Sequence, residues 1–309
     1  MFQNSLTIRL KFTNLKHLRL FMVLIGIIAS IFAAIGQALN YALTKDCQEK
    51  HRIYGFRMLI GAHIGMGFIM LWPFLFCSYY TYFEWEHLID LFKINLPFLF
   101  AQYCMMQSIR VSDASIVSPL LVLKIPVLAA ISIVLFKDSY AVHQYLAIAA
   151  ILLLSWYFSS LSGQIKLKAL MFVFLASFCY VLSDIAITGY AKKFAAHPIE
   201  QVMIANSFNY IAGAIFFLPC AFMKKVTAKD IYNCKYVALS WIIAVTLIVI
   251  GFNLSGLVSG TIIQSLRGAF GIIIALIFFR NEIMDHGARW QLKVAISILM
   301  TLSVASFYL

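Results

Sequence analysis

Two cations lie where a membrane-length apolar run ordinarily carries none. Lys124 interrupts the stretch from Ser112 to Asp138, and Arg267 interrupts the stretch from Ser255 to Asn281, 143 positions further on. The two stretches align without a gap: Ser118 falls on Thr261, Leu123 on Leu266, Phe136 on Phe279, Lys137 on Arg280, and beyond them His143 on His286. A charge at the centre of such a run costs roughly 2.5–3.5 kcal/mol or more unless it faces a cavity or a partner. The chemistry on offer is anion recognition. A guanidinium grips a carboxylate or phosphate through two parallel hydrogen bonds, and an ammonium acts as a point charge. Asp184 is the one acidic residue expected well inside an apolar run. It offers either a neutralising partner for one cation or a carboxylate that couples protons to transport. The plainer alternative is charge balance, with Asp184 neutralising one cation and a backbone carbonyl freed by Pro126 satisfying the other. Two cations against one anion still leave an excess of positive charge.

Four more polar residues are candidates for contact with a substrate. Gln264 lies three positions before Arg267, and Asn209 falls on His63 at an offset of 146. Gln37 falls opposite Asp184 at an offset of 147. For each of these, as for Asn206, Gln102 and Gln107, the competing role is hydrogen bonding between helices. No glycine-rich phosphate loop, zinc-protease His-Glu-x-x-His pair or serine-nucleophile elbow is present. An intramembrane enzyme would lack a nucleophile paired with a base. The six cysteines show no Cys-x-x-Cys spacing, so neither a metal nor another cofactor is expected.

The elements that must position these residues follow from composition. Of 309 residues, 63% are hydrophobic and 12% charged, with a mean hydropathy of +0.91. A soluble domain carries about 25% charged residues. The apolar runs are about 20 residues long and do not alternate, which excludes a membrane β-barrel and predicts a polytopic all-α membrane protein. The formal charge of +12 sits mostly in short loops, where it meets anionic headgroups, so no nucleic-acid partner is implied. Residues 1–19, with Arg9, Lys11, Lys16 and Arg19, read as a basic interfacial segment, and a cleaved signal peptide is not expected. Ten spans are predicted at roughly 20–43, 55–80, 91–109, 114–136 and 142–162, then 169–191, 199–222, 236–254, 257–279 and 289–308.

The halves, 20–164 and 165–309, are predicted to be two copies of one five-helix unit. An odd number of spans per unit starts the second copy on the opposite side of the membrane, so the copies are inverted about an axis in the membrane plane. Lys124 and Arg267 then sit at matching depths beside that axis. The basic start favours cytoplasmic termini, but Lys224, Lys225, Lys229 and Lys235 crowd the other side, and the charge rule leaves orientation open. Parity puts Cys47 and Cys234 on one side. Gly26, Gly36, Gly61, Gly65, Gly67, Gly251, Gly256 and Gly260 read as sites of close helix packing.

The sequence resembles the drug/metabolite transporter superfamily, and within it the EamA-like ten-helix branch. The residues that carry the resemblance are Arg57 early in the second span, the passage Ser108-Ile109-Arg110-Val111-Ser112-Asp113-Ala114, and the Pro126 of Lys124-Ile125-Pro126. The close Leu135-Phe136-Lys137-Asp138 and its echo Phe278-Phe279-Arg280-Asn281-Glu282 complete the set. Members of the branch usually keep a proline in both copies; here Ala269 stands opposite Pro126, with Gly268 and Gly271 nearby to permit a kink. The paired cations are more similar to the organic-phosphate and nucleotide-sugar branch. The resemblance implies a secondary-active carrier in the inner (plasma) membrane.

The resulting expectation is a transporter of a small anionic or zwitterionic metabolite, such as an amino acid, working by alternating access in the lipid bilayer as a monomer or homodimer. Its partners are the solute and a coupling proton or counter-substrate. One alternative is an antiporter for an organic phosphate or nucleotide-like solute. Another, from a different class, is a non-transporting scaffold or lipid-handling protein, for which neutralising the two cations would change nothing.

Overall fold

The computed structural model describes the backbone of residues 2–112, 114–131, 133–134, 137, 139–161, 167–278 and 290–307, with side chains described at most of these positions from residue 21 onward. The chain is helical throughout, with no strand among the described residues. A long first helix, α1 (Phe2–His51), is followed by α2 (Gly55–Phe76), α3 (His87–Val111), α4 (Ala114–Leu120) and α5 (Lys124–Ile131). Then come α6 (Val142–Leu161), α7 (Leu167–Ala191), α8 (Pro198–Met223), the short α9 (Ala228–Asn233) and α10 (Lys235–Ser255). The chain closes with α11 (Leu257–Gln264), α12 (Arg267–Phe278) and α13 (Trp290–Phe307).

Among the described residues, five helices are long and apolar enough to cross a membrane: Phe21–His51 of α1, then α2, α7, α8 and α10. The chain is therefore a multi-pass α-helical membrane protein. The first of these runs eight residues past its expected end at 43. The expected third span is the 25-residue α3, whose apolar run is diluted by Asp90, Lys93, Asn95 and Gln102. The expected fourth and ninth spans are each broken in two. Helices α6 and α13 are apolar but shorter, at 20 and 18 residues. The closing motifs around 135–138 and 279–289, except Lys137, lie outside the described residues.

The two breaks have different causes. Between α4 and α5 the chain tightens into a 3-10 turn at Leu121–Leu123, and Pro126 then occupies the third position of α5. The segment stays hydrogen-bonded through the turn, Lys124 N–H to Leu121 O, and Pro126, which has no N–H, forgoes one bond of the next turn. The second break, between Gln264 and Arg267, has no proline. Gly268 instead lets α12 approach α4 closely, since a Cβ at that position would stand 2.9 Å from the Pro119 Cα.

Helix pairs pack closely as α1 with α10, α3 with α7, α2 with α8, α4 with α12 and α6 with α13. In lipid, helices gain nothing by hiding apolar surface from each other, so small residues and polar side chains hold them together. Gly251 lies against Ser30 across the α1–α10 seam, and Gly67 against Ala214 across the α2–α8 seam. Asn40 Nδ2 donates to Val237 O at 2.8 Å, and Ser183 Oγ to Ile94 O at 3.2 Å. Gly256 differs from the other glycines grouped above as packing sites. It has open space around its Cα and φ +91°, so it ends α10 in a conformation that a side chain would strain. Phe68, Trp72, Phe76, Trp156 and Phe216 point outward, an apolar surface suited to acyl chains.

Candidate functional site: a central cavity

Both breaks open onto one internal cavity of about 40 Å³. Helix α1 contributes Gln37 and Tyr41, α3 contributes Phe98, and α5 contributes Lys124. From α7 come Tyr180, Ser183 and Asp184, and from α8 Asn206, Asn209 and Tyr210. Trp241 of α10, Gln264 of α11 and Arg267 of α12 complete the polar and aromatic lining. This volume holds only about three waters.

Lys124 and Arg267 occupy equivalent places: each is the first residue of the helix that restarts after a break. Both are buried, at 6% and 5% exposure. The Lys124 ammonium donates to Asp184 Oδ2. Arg267 donates from Nη1 to Gln37 Oε1 at 3.1 Å and from Nη2 to Leu121 O at 3.0 Å. Leu121 belongs to the 3-10 turn, one residue before the carbonyl that the missing amide of Pro126 would free. Gln264 Nε2 donates to the same Gln37 oxygen at 3.1 Å, so Gln37 ties α11 and α12 to α1. Among the described lining residues the charged groups are two cations and one carboxylate.

Asn209 faces the cavity with its Oδ1 accepting from Asn95 Nδ2 at 2.7 Å. His63 does not line the cavity. It lies in α2 with Nδ1 2.9 Å from Leu59 O and its ring between Phe98 and Phe217. Lys124, Arg267, Asp184, Gln264, Asn209 and Gln37 are therefore gathered at one place, and His63 sits one ring behind it.

Sequence reasoning missed the aromatic wall. Phe98 stands 5.9 Å from Trp241 and 6.3 Å from both Tyr180 and Tyr210, centroid to centroid. A signal for part of it was available. Tyr41 follows Gln37 by four residues and Tyr180 precedes Asp184 by four, which puts each pair on one helix face. Among the described residues the buried Tyr41 and Tyr180 hydroxyls and Asn206 Oδ1 have no hydrogen-bond partner. The neighbouring Tyr210 hydroxyl and Trp241 indole N–H form no well-aligned bond either. Unmet polar atoms in a buried space are costly, and these belong to residues that line the cavity.

Two ion pairs join the chain's two halves away from the cavity. Asp230, in the first turn of α9, accepts from Arg57 at the start of α2 at 2.7 Å and closes a capping box with Thr227. Burial raises the Asp230 carboxyl, but hydrogen bonds from Arg57 and Thr227 outweigh that and hold it below the ordinary carboxylate value. Lys193, after α7, meets Asp90, in the first turn of α3, at 2.6 Å. Among the described residues no cluster of His, Cys, Asp and Glu could hold a metal ion.

No family model and no curated protein matches the chain. Among solved structures, one described only as "Crystal structure of protein" is similar in fold, with a TM-score of 0.58 over 93% of this chain and 96% of its own at 10% identity. At that identity the likeness speaks for the fold alone, and it extends over nearly the whole of both chains.

Proposed function

We propose that the chain is a secondary-active transporter that moves a small metabolite bearing an anionic group across the plasma (inner) membrane by alternating access. In this reading it has ten spans in two inverted five-helix halves, with α4–α5 and α11–α12 as the fourth and ninth spans. The observation that carries the proposal is the duplicated break. In each half the interrupted segment restarts on a buried cation that lines the shared cavity. The main chain stays hydrogen-bonded through each interruption, Lys124 N–H to Leu121 O and Gly268 N–H to Ser265 O, so the charge at each restart is that of the side chain. A cation at the same point makes the site unfavourable to itself and favourable to an anion. Interrupted helices meeting at mid-membrane are how inverted-repeat carriers build substrate sites.

The packing pairs support the inverted halves. Exchanging each helix for its counterpart turns α1 with α10 into α7 with α3, and returns α2 with α8 and α6 with α13 to themselves, whereas α4 with α12 becomes α11 with α5, which is not a close pair. Four of the five close pairs named above survive the exchange. Arg267 and Lys124 are assigned to the anionic group of the substrate, and Asp184 to neutralising Lys124. Gln37, Gln264 and Asn209 orient these groups.

A thermal-shift screen of small anionic metabolites against the full, detergent-solubilised chain tests this reading, followed by uptake of any hit into proteoliposomes without ATP. Saturable uptake of a stabilising anion is expected. Stabilisation by no anion, with no uptake, would return the protein to the scaffold class.

A further inference from the structure

The carrier reading makes no use of the two ion pairs outside the cavity, yet those pairs are related to each other. Among the described residues, the ion pairs that cross from one half to the other are these two and Lys124–Asp184. We propose, resting on the carrier reading, that Arg57–Asp230 and Lys193–Asp90 are counterpart clips, one at each end of the molecule. The cavity opens toward an end only when the clip there is broken.

Three observations carry this. The first is the repeat. Asp90 sits in the first turn of α3, and Asp230 in the first turn of α9, which runs through Cys234 into α10, the counterpart of α3. Arg57 lies in the first turn of α2, and Lys193 lies five residues before its counterpart, α8. Asp90 and Asp230 are 140 positions apart and Arg57 and Lys193 136, against 143 for the two cavity cations. Exchanging the halves therefore carries one clip onto the other.

The second is position. Helix α2 runs from the Arg57 end to the end where α3 begins with Asp90. Its 22 residues span about 33 Å, roughly the hydrocarbon thickness of a bilayer. Arg57–Asp230 fastens the chain just after α1 to the approach to α10, and Lys193–Asp90 fastens the chain just after α7 to the start of α3. All four of those helices line the cavity. Among the described residues each helix pair is clipped by charge at one end. At the other, Gly26 of α1 lies against Ser255 of α10, and Ser108 Oγ of α3 donates to Ala169 O of α7 at 3.3 Å. The third is strength. In both clips the carboxylate is mostly covered and the cation about half exposed, 10% against 48% and 18% against 54%. A pair that water still reaches is weak, as a contact remade in every transport cycle must be.

Side-specific labelling of the full-length protein in right-side-out and inside-out vesicles tests the clips. Cys77, exposed beyond α2, first shows which side holds the Lys193–Asp90 end and is then removed as Cys77→Ser. Ser183→Cys places a thiol on the cavity wall, and an impermeant, anionic methanethiosulfonate reports its accessibility from each side. The same chain with Ser183 retained gives the background. Asp230→Asn is expected to speed labelling from the Arg57 end by about twofold to fivefold, the range for a partly exposed pair. Asp90→Asn should do the same from the opposite end. If either asparagine variant does not fold, Arg57→Gln and Lys193→Gln break the same clips from their exposed side. Labelling that changes equally from both sides, or from neither, would overturn the clips. Anion uptake by the wild type, measured alongside, separates the two readings: with uptake present only the clips fail, and without it the carrier reading fails too.

Discussion

Lys124 and Arg267 stand 143 positions apart in the chain, yet each is the first residue of a helix restarting inside an interrupted apolar segment, and both line the same cavity. Their surroundings are not equivalent. Lys124 is paired with a carboxylate, whereas Arg267 is held by a side-chain amide and a main-chain carbonyl. The two cations therefore respond differently to neutralisation.

Lys124→Met leaves the Asp184 carboxylate in the protein without its ammonium. Breaking a fully buried pair from one side costs about 3–5 kcal/mol; Asp184 keeps 22% of its side chain exposed, so the loss should be smaller than that, and this variant should melt lower and express less. Replacing both members, Lys124→Met with Asp184→Asn, should recover most of the loss, because the stranded charge is gone. Melting temperatures of the two single variants and the double variant form the check. A double variant no more stable than either single one would contradict the pairing.

The Arg57–Asp230 contact should make stability depend on pH. The Asp230 carboxyl is held below its ordinary value, so the folded state favours the charged form. Its contribution is fully present above the unfolded carboxylate value, near pH 4, and is lost as pH falls through the lower folded value. Asp230→Asn should melt below wild type at pH 6, with the gap closing as the pH is lowered past about 4. A gap of constant size down to pH 3 would contradict the assignment.

Gly268 sets the approach of α12 to α4. A methyl group there would meet the Pro119 Cα at 2.9 Å, a backbone atom that cannot swing aside. Gly268→Ala should destabilise by about 1–3 kcal/mol, the usual cost of overfilling a packed interior. An unchanged melting temperature would mean that the two broken segments are not in close contact.

The duplicated cations were legible in the sequence because an uncompensated charge in an apolar run has few explanations and an in-register echo has fewer. Gln37 and Gln264 could be named beside them from alignment and spacing alone. Phe98, Tyr210 and Trp241 could not, because 15% of the chain is aromatic and a lipid-facing ring is indistinguishable in composition from a cavity-facing one. His63 looked equivalent to Asn209 through the repeat, but its ring turns toward Phe98 and Phe217 instead of the cavity. The length of each helix was only partly legible, since the 3-10 turn before Lys124 reads in sequence as part of one apolar run.

Orientation can be probed through a cysteine the sequence did not single out for that purpose. Cys47 and Cys234, which parity places on one side, are both buried, while Cys77 beyond α2 is exposed. An impermeant maleimide should therefore modify Cys77 in intact cells if the α2 C-terminal end faces outward, and only after lysis if it faces the cytoplasm. In either case Cys47 and Cys234 should react slowly until the protein is unfolded, and rapid labelling of either would contradict their burial.

The most direct measurement is the concentration dependence of anion uptake into proteoliposomes by wild type, Arg267→Leu and Arg267→Lys, with correct folding confirmed by size-exclusion elution and helical content. Charge-assisted hydrogen bonds from Arg267 to the substrate, worth about 1.5–3 kcal/mol each, imply at least a tenfold loss of apparent affinity in the leucine variant. The lysine variant, which keeps the charge but not the fork, should retain part of the activity. Uptake by a folded Arg267→Leu protein at the wild-type rate and affinity would contradict the account and place the substrate elsewhere.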